Sequence, residues 1–361
     1  MARIELENVH KRYGQGRSSH QALAGISLTV APGEFVALLG PSGSGKTSLL
    51  RAIAGLERID DGRILIGERC VAETGRHLPP ERRDVGVVFQ SHALWPHLSV
   101  FENVAFPLRE ASVSAAEITR RTSEALDRVE LGALQARMPG ELSGGQKQRV
   151  SLARALVAQP GVILFDEPLA SLDVELRRGL MRHIAQVRSG NNAMVYVTHN
   201  QEEALGLADR IALLFDGRIE QLDTPLTLCR EPATARVAAF MGHGNLLKAT
   251  CLGSSGEGQC LVRIGESEWR VRCHTPEPPG TPVLLAVSMT AFEAVAETQS
   301  GLPARVVHAF FQGLSGYSVD ARLDEACGGA SVQLSLPLVA RPQPGQPLRL
   351  GLRDAWVLPG A

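Results

Sequence analysis

Lysine is scarce in this chain of 361 residues: Lys11, Lys46, Lys147 and Lys248 are the only four, so arginine carries nearly all of its positive charge. Neither sign dominates, with 37 basic and 38 acidic residues and a formal net charge of -1. That balance excludes nucleic-acid binding driven by bulk charge. The six cysteines (Cys70, Cys229, Cys251, Cys260, Cys273 and Cys327) contain no CxxC pair. They read as reduced thiols of a cytosolic protein rather than a disulfide framework or a zinc site. No apolar run approaches the ~18 residues of a membrane-spanning helix. The opening residues MARIELENVH lack the apolar region of a secretory signal. Internal repeats, low-complexity tracts and sustained heptads are missing too.

What is present is ordinary globular material, 44% hydrophobic and 21% charged. At ~150 residues per domain the length suggests two or three domains. Residues 1 to about 240 alternate strand-like and helix-like stretches. The runs at 34–40, 82–90, 161–168, 192–200 and 210–219 are rich in Val, Ile and Leu. They suit strands of a parallel sheet buried on both faces. Helical candidates lie at 114–130, 143–158, 173–189 and 200–208. This is an α/β pattern. From about residue 245 short runs separated by Gly, Pro and Ser predict a small all-β domain over 245–361.

Gly40-Pro41-Ser42-Gly43-Ser44-Gly45-Lys46-Thr47 fits G-x-x-x-x-G-K-[ST], directly after a strand and at the start of a helical pattern. Glycines there allow a tight turn whose N–H groups, with the helix N-terminus, face phosphate oxygens. Lys46 supplies a compact charge where a planar arginine fork fits poorly. Thr47 offers a hydroxyl to Mg²⁺. A strand over 161–165 ends in Asp166 and Glu167. A buried acid is costly unless it meets a cation, so Asp166 is expected to hold Mg²⁺ directly or through water. Glu167 is then placed to polarise an attacking water as general base. Ser143, at the head of a third segment, Leu142-Ser143-Gly144-Gly145-Gln146, is a good N-cap. This segment predicts a second anion-binding helix N-terminus.

These three motifs, in this order and spacing, resemble the ATP-binding-cassette (ABC) ATPases over essentially all of residues 3–240. The resemblance implies a P-loop cassette with a helical subdomain inserted at about 91–157, binding ATP with Mg²⁺. It also implies a head-to-tail dimer with a second copy, in which one subunit's signature closes over the nucleotide held by the other. On the same basis Gln90 is similar to the Q-loop glutamine that senses Mg²⁺. Ser171-Leu172-Asp173 resembles the D-loop, His199 the switch histidine and Tyr13 the aromatic that stacks on adenine. Asn200 departs from the aspartate common after that histidine. The expected nucleotide site is therefore Tyr13, Gly40, Pro41, Ser42, Gly43, Ser44, Gly45, Lys46, Thr47, Ser48, Ser143, Gly144, Gly145, Gln146 and Asp173. Thr47, Gln90 and Asp166 form its metal side; Glu167, His199 and Gln90 form its catalytic side.

The stretch 91–108, with Trp95, Phe101 and Phe106, is unusually apolar for a surface loop and reads as an exposed interaction patch or, alternatively, as aromatics that pack the subdomain. In the family a membrane permease docks there. The tail resembles the TOBE-type, oligonucleotide-binding-fold-like domain of bacterial importer ATPases. It departs at Val287-Ser288-Met289-Thr290, where an Arg-Pro-Glu tripeptide is common. Such a chain is expected on the cytoplasmic face of the inner membrane, peripherally, with a solute-binding protein in the same system and no nucleic-acid partner. Ferric iron, polyamine or phosphonate is the expected cargo, ahead of sulfate or sugar. A soluble non-transport ABC ATPase is the alternative.

Overall fold

The computed structural model describes residues 2–14, 19–170, 173–187, 191–296 and 298–360. The chain divides into two compact units, Met1–Pro225 and Leu226–Ala361. In the first unit an antiparallel sheet in the order β2-β1-β4-β5-β6 comprises β1 (Ile4–Tyr13), β2 (His20–Val30), β4 (Asp61–Ile66), β5 (Arg69–Glu73) and β6 (Arg76–His77). The second sheet holds β3 (Phe35–Leu39), β7 (Val85–Val88), β8 (Val162–Asp166), β9 (Ala193–Thr198), β10 (Arg210–Phe215) and β11 (Arg218–Asp223). Its order is β11-β10-β3-β9-β8-β7, parallel throughout except for the β10–β11 hairpin.

Continuous apolar runs build this second sheet because both its faces are covered. The period of two sorts the side chains. Val36, Leu38, Val162, Leu164, Val195 and Val197 pack with helix α1 (Lys46–Ala54) and the antiparallel sheet. Phe35, Ile163, Phe165, Met194 and Tyr196 face the other way, toward the remaining helices. Phe35, Phe165 and Tyr196 form a triangle there, with ring centroids 5.6–6.1 Å apart. The helices are α2 (Val100–Glu110), α3 (Ala115–Arg128), α4 (Gly144–Val157), α5 (Val174–Val187) and α6 (Gln201–Leu207).

Two expectations change. Residues 210–219 are not one strand: Asp216 and Gly217, both at positive φ, turn the chain between β10 and β11, as an Asp-Gly hairpin turn does. The stretch 91–108 is not an exposed loop throughout, because from Val100 it is helix α2. Ser99 caps that helix in a capping box with Glu102. Val100, Val104 and Leu108 are buried and Phe101 packs against the same core. Trp95 and Phe106 remain half-exposed, their rings tilted by 35° with centroids 4.2 Å apart. The first unit ends at Pro225, and the sequence texture changes over 231–245.

Helix α1 ends at Gly55, left-handed with φ 82. Its last turn is held by Arg83, which is 2% exposed and donates to the carbonyls of Ala52 (2.6 Å), Ile53 (2.9 Å) and Leu78 (2.6 Å). Replacing Arg83 by alanine orphans these buried acceptors. It should lower the stability of the first unit by about 3 kcal/mol. Urea unfolding measures this, and a change within about 0.5 kcal/mol would show that water repairs the loss.

Helix α7 (Pro225–Arg230) starts at the last residue of the first unit, and α8 (Ala235–Phe240) follows in the second. A closed barrel in the order β12-β13-β14-β21-β15 follows, made of β12 (Asn245–Gly256), β13 (Gln259–Ile264), β14 (Ser267–Arg272), β15 (Pro282–Val287) and β21 (Trp356–Val357). A five-stranded sheet in the order β16-β20-β17-β18-β19 shares its core. Its strands are β16 (Phe292–Ala294), β17 (Leu302–Phe311), β18 (Tyr317–Leu323), β19 (Ser331–Leu336) and β20 (Pro347–Leu352). Buried Asn245 joins the two layers, donating to the Val287 and Gln333 carbonyls and accepting from the Gln333 N–H at 2.6 Å. Cys251, Cys260 and Cys273 are free and buried in that core. Burial, with the neighbouring thiols, pushes Cys260 up to about 12, which makes it an inert apolar filler.

Candidate nucleotide site

The C-terminal ends of β3, β9, β8 and β7 lie side by side in the parallel sheet, where open α/β sheets bind ligands. β3 leads into the loop 40–45 and then α1. The loop needs glycine at specific places. A Cβ on Gly40 would lie 2.2 Å from the Leu214 carbonyl oxygen, and one on Gly45 (φ 103) 2.3 Å from that of Ala22. Gly43 faces open space, and Pro41 and Ser42 are exposed beside it. No side chain caps α1, so its first N–H groups point at whatever occupies the loop. Ser44 is buried, while Thr47 and Ser48 are half-buried in the first turn of α1.

Lys46 is 5% exposed. Its Nζ folds back onto the carbonyls of Gly40 (2.9 Å) and Pro41 (2.8 Å) and lies 3.4 Å from Ser44 Oγ. Burial holds its amine below the usual lysine range, and the nearby Glu167 carboxylate opposes this in part. Asp166 ends β8, half-buried. Burial raises its carboxyl; the Arg51 cation and a hydrogen bond from Thr47 pull it back, while Glu167 repels its charge.

Glu167 has left-handed φ 44, a conformation costing roughly 1–3 kcal/mol in a non-glycine residue. Its N–H donates to the Val197 carbonyl at 3.0 Å, which ties this turn to β9. His199 follows β9, and its Nδ1 lies 3.2 Å from Glu167 Oε2. An ionised carboxylate only accepts, so this contact places the ring proton on Nδ1. Gln90 is exposed two residues beyond β7. Tyr13, the last residue of β1, donates its hydroxyl to Ser48 Oγ at 3.1 Å, with Lys11 Nζ 5.3 Å from its ring centre. One face of a half-exposed aromatic thus stands beside the first turn of α1.

Ser143 caps α4: its Oγ accepts from the Gln146 N–H at 3.3 Å, and Gln146 Oε1 accepts from the Ser143 N–H at 2.9 Å. The capping box therefore uses part of the donor set expected for an anion. Gly144 stays exposed. Gly145 is buried where a Cβ would meet the Leu176 side chain of α5 at 2.6 Å. Among the described residues no hydrogen bond or ion pair joins 143–146 to 40–47 within one chain. Asp173 is exposed and its Oδ1 accepts from the Leu176 N–H at 2.9 Å. Ser171 and Leu172 lie outside the described residues.

The ABC transporter family matches residues 23–170. The chain is 43% identical to the Fe(3+) ions import ATP-binding protein FbpC of Agrobacterium fabrum, over 89% of this chain and 88% of that protein. It is 44% identical to the spermidine/putrescine import ATP-binding protein PotA of Acidothermus cellulolyticus, over 79% of this chain and 73% of that protein. The chain belongs to the ABC transporter ATP-binding proteins. Among solved structures it resembles the dimeric post-hydrolysis state of the ATP-binding cassette MJ0796 bound to ADP and Pi. That match has a TM-score of 0.55 at 34% identity and covers 62% of this chain and 98% of that one.

The residues present fit what such an ATPase binds. The open space at Gly43, the uncapped α1 and the buried ammonium of Lys46 suit a polyphosphate. The Thr47 hydroxyl and the Asp166 carboxylate, already bonded to each other, are the hard oxygen donors that Mg²⁺ takes beside phosphates. Because the folded-state pKa of Asp166 is raised, its ionisation costs stability above that pKa, and the cost fades as pH falls through it. Asp166→Asn should then unfold at a higher temperature than wild type at pH 7 without nucleotide, yet lose Mg²⁺-dependent hydrolysis. A lower unfolding temperature would contradict the burial argument.

Helix α4 also carries contacts that motif reading missed. Arg154 of α4 donates to the carbonyls of His92 (2.9 Å) and Ala93 (2.6 Å), and its guanidinium lies 4.9 Å from the Trp95 ring centre. His92 Nδ1 bonds to Gln148 Oε1. The residues just after Gln90 are thereby fastened to the helix that begins at the signature. A lone arginine on the otherwise apolar face Val150, Leu152, Ala153 was the available signal.

Proposed function

We propose that this chain is the ATP-hydrolysing subunit of an importer for ferric iron, working with membrane-embedded permease subunits as a dimer. The observation that carries the reading is similarity to the A. fabrum FbpC over nine tenths of the chain, through both units. Polyamine is the second reading, because relatives named for spermidine and putrescine reach 47% identity over 73% and 76% of the chain. The chain sits peripherally on the cytoplasmic face of the membrane and meets a cargo-loaded solute-binding protein through the permease. The five-stranded barrel supports assigning the second unit as a TOBE-like domain.

In this mechanism Lys46 and the amides of the loop 40–47 bind the β- and γ-phosphates, and Tyr13 stacks on adenine. Thr47, Asp166 and Gln90 hold Mg²⁺, which when bound neutralises charge developing on the phosphates. Glu167 accepts a proton from the attacking water, and His199 lies on that carboxylate and faces the γ-phosphate. Ser143, Gly144, Gly145 and Gln146 of a second copy complete the site across the dimer, with Asp173 at that junction. Trp95 and Phe106, packed together after Gln90 in the chain, offer the permease a half-exposed aromatic face. Reconstitution with its permease and binding protein in vesicles tests the assignment. Hydrolysis should be stimulated by binding protein loaded with ferric iron; stimulation by spermidine alone selects the second reading, and none by either rejects import of both.

A further inference from the structure

We infer that Glu203 is a positioning residue for His199, an inference resting on the role proposed above for that histidine. Glu203 is 2% exposed in α6, and its carboxylate collects groups from two other elements, β9 and α5. Tyr196 and Thr198 of β9 donate their hydroxyls to Oε2 at 2.9 and 2.7 Å. Arg177 of α5 lies 3.6 Å from Oε1. A buried carboxylate demands such partners, and truncating one partner leaves the others desolvated.

These contacts clamp the switch histidine from both sides. On one side Thr198 Oγ1, while donating to Glu203, also accepts from the Asn200 N–H at 3.0 Å. On the other, Asn200 Oδ1 accepts from the Glu203 N–H at 3.3 Å as the cap of α6. His199 is the one residue between these two anchors, and its own side chain is 57% exposed. An exposed ring does not hold itself 3.2 Å from Glu167; its backbone must be set from beneath. Glu203 does this, and through Arg177 it ties the setting to the helix that begins just after Asp173. The Glu203 backbone also serves α6 whatever its side chain is, so the test must isolate the carboxylate.

Glu203→Gln keeps the shape and removes the charge. It should lower kcat for ATP about tenfold, in the range for residues that orient a functional group, with KM for ATP within about twofold. In a His199→Ala background the same change should cost less than about twofold, because effects acting through one group are not additive. Thr198→Val, which deletes one hydroxyl donor, should behave alike and serves if Glu203→Gln folds poorly. A readout independent of turnover is the imidazole ¹H–¹⁵N signal of His199 in nucleotide-free protein, assigned by its loss in His199→Ala. In both variants it should shift while the signals of His77 and His97 stay in place. Equal losses in both backgrounds, or an unmoved His199 signal, would overturn the inference. If His199→Ala alone hydrolyses ATP at the wild-type rate, the role proposed for the histidine fails instead, and the resonance shift still decides whether Glu203 sets its position.

Discussion

Glu167→Gln is expected to bind MgATP as tightly as wild type and to hydrolyse it about a thousandfold more slowly, the scale of a lost general base. The substitution is nearly isosteric, so the left-handed turn at φ 44 and the N–H bond to the Val197 carbonyl persist. What disappears is the ability to accept a proton, and the contact from His199 Nδ1 weakens from charge-assisted to neutral. Removing a charge next to Asp166 and Lys46 also relieves the repulsion that helps raise the Asp166 carboxyl. Binding therefore should not suffer, and the ATP-loaded dimer should accumulate on gel filtration. Equilibrium binding and single-turnover hydrolysis separate the two steps. Turnover within tenfold of wild type would assign the base elsewhere.

Lys46→Ala should fail at the earlier step, losing about a hundredfold in ATP affinity, as expected for a buried charge-assisted contact to phosphate. In the nucleotide-free protein the ammonium is held by the Gly40 and Pro41 carbonyls, and burial already depresses its pKa. Since that folded-state pKa lies below the unfolded one, protonated Lys46 costs stability at every pH beneath it. A phosphate repays this cost directly, so wild type should gain thermal stability with MgATP. Lys46→Ala should show no such shift. Lys46→Arg should not rescue, because a planar fork does not fit where one compact nitrogen sits under two carbonyls. Unchanged ATP affinity in Lys46→Ala would refute this reading of the loop.

Much of this site was legible from local pattern. The glycines at 40 and 45, the lysine that follows and the acid pair after an apolar strand each answer a constraint that acts within a few residues. The parallel strands were legible for a related reason: burial on both faces leaves an unbroken apolar run such as Phe35–Leu39. The antiparallel sheet of β1, β2, β4, β5 and β6 was not, since its half-exposed strands carry mixed residues and bulges. Helix α2 escaped because its apolar side chains were read as a surface patch, although Ser99 and Glu102 announce its start.

Binding of a nucleoside triphosphate and the β-rich unit that follows could be read from residues alone, because those features rest on short spacings and on residue chemistry. What braces these residues emerges from contacts between elements. Glu203 of α6 reaches Thr198 and Tyr196 of β9 and Arg177 of α5; Arg154 reaches the carbonyls after Gln90 from α4; Arg83 closes the end of α1 from a loop about 30 residues away. Apart from Tyr196 and Thr198, none of these partners is near in sequence. A buried charge is assigned its partners by packing, and packing exists only once the layers have closed.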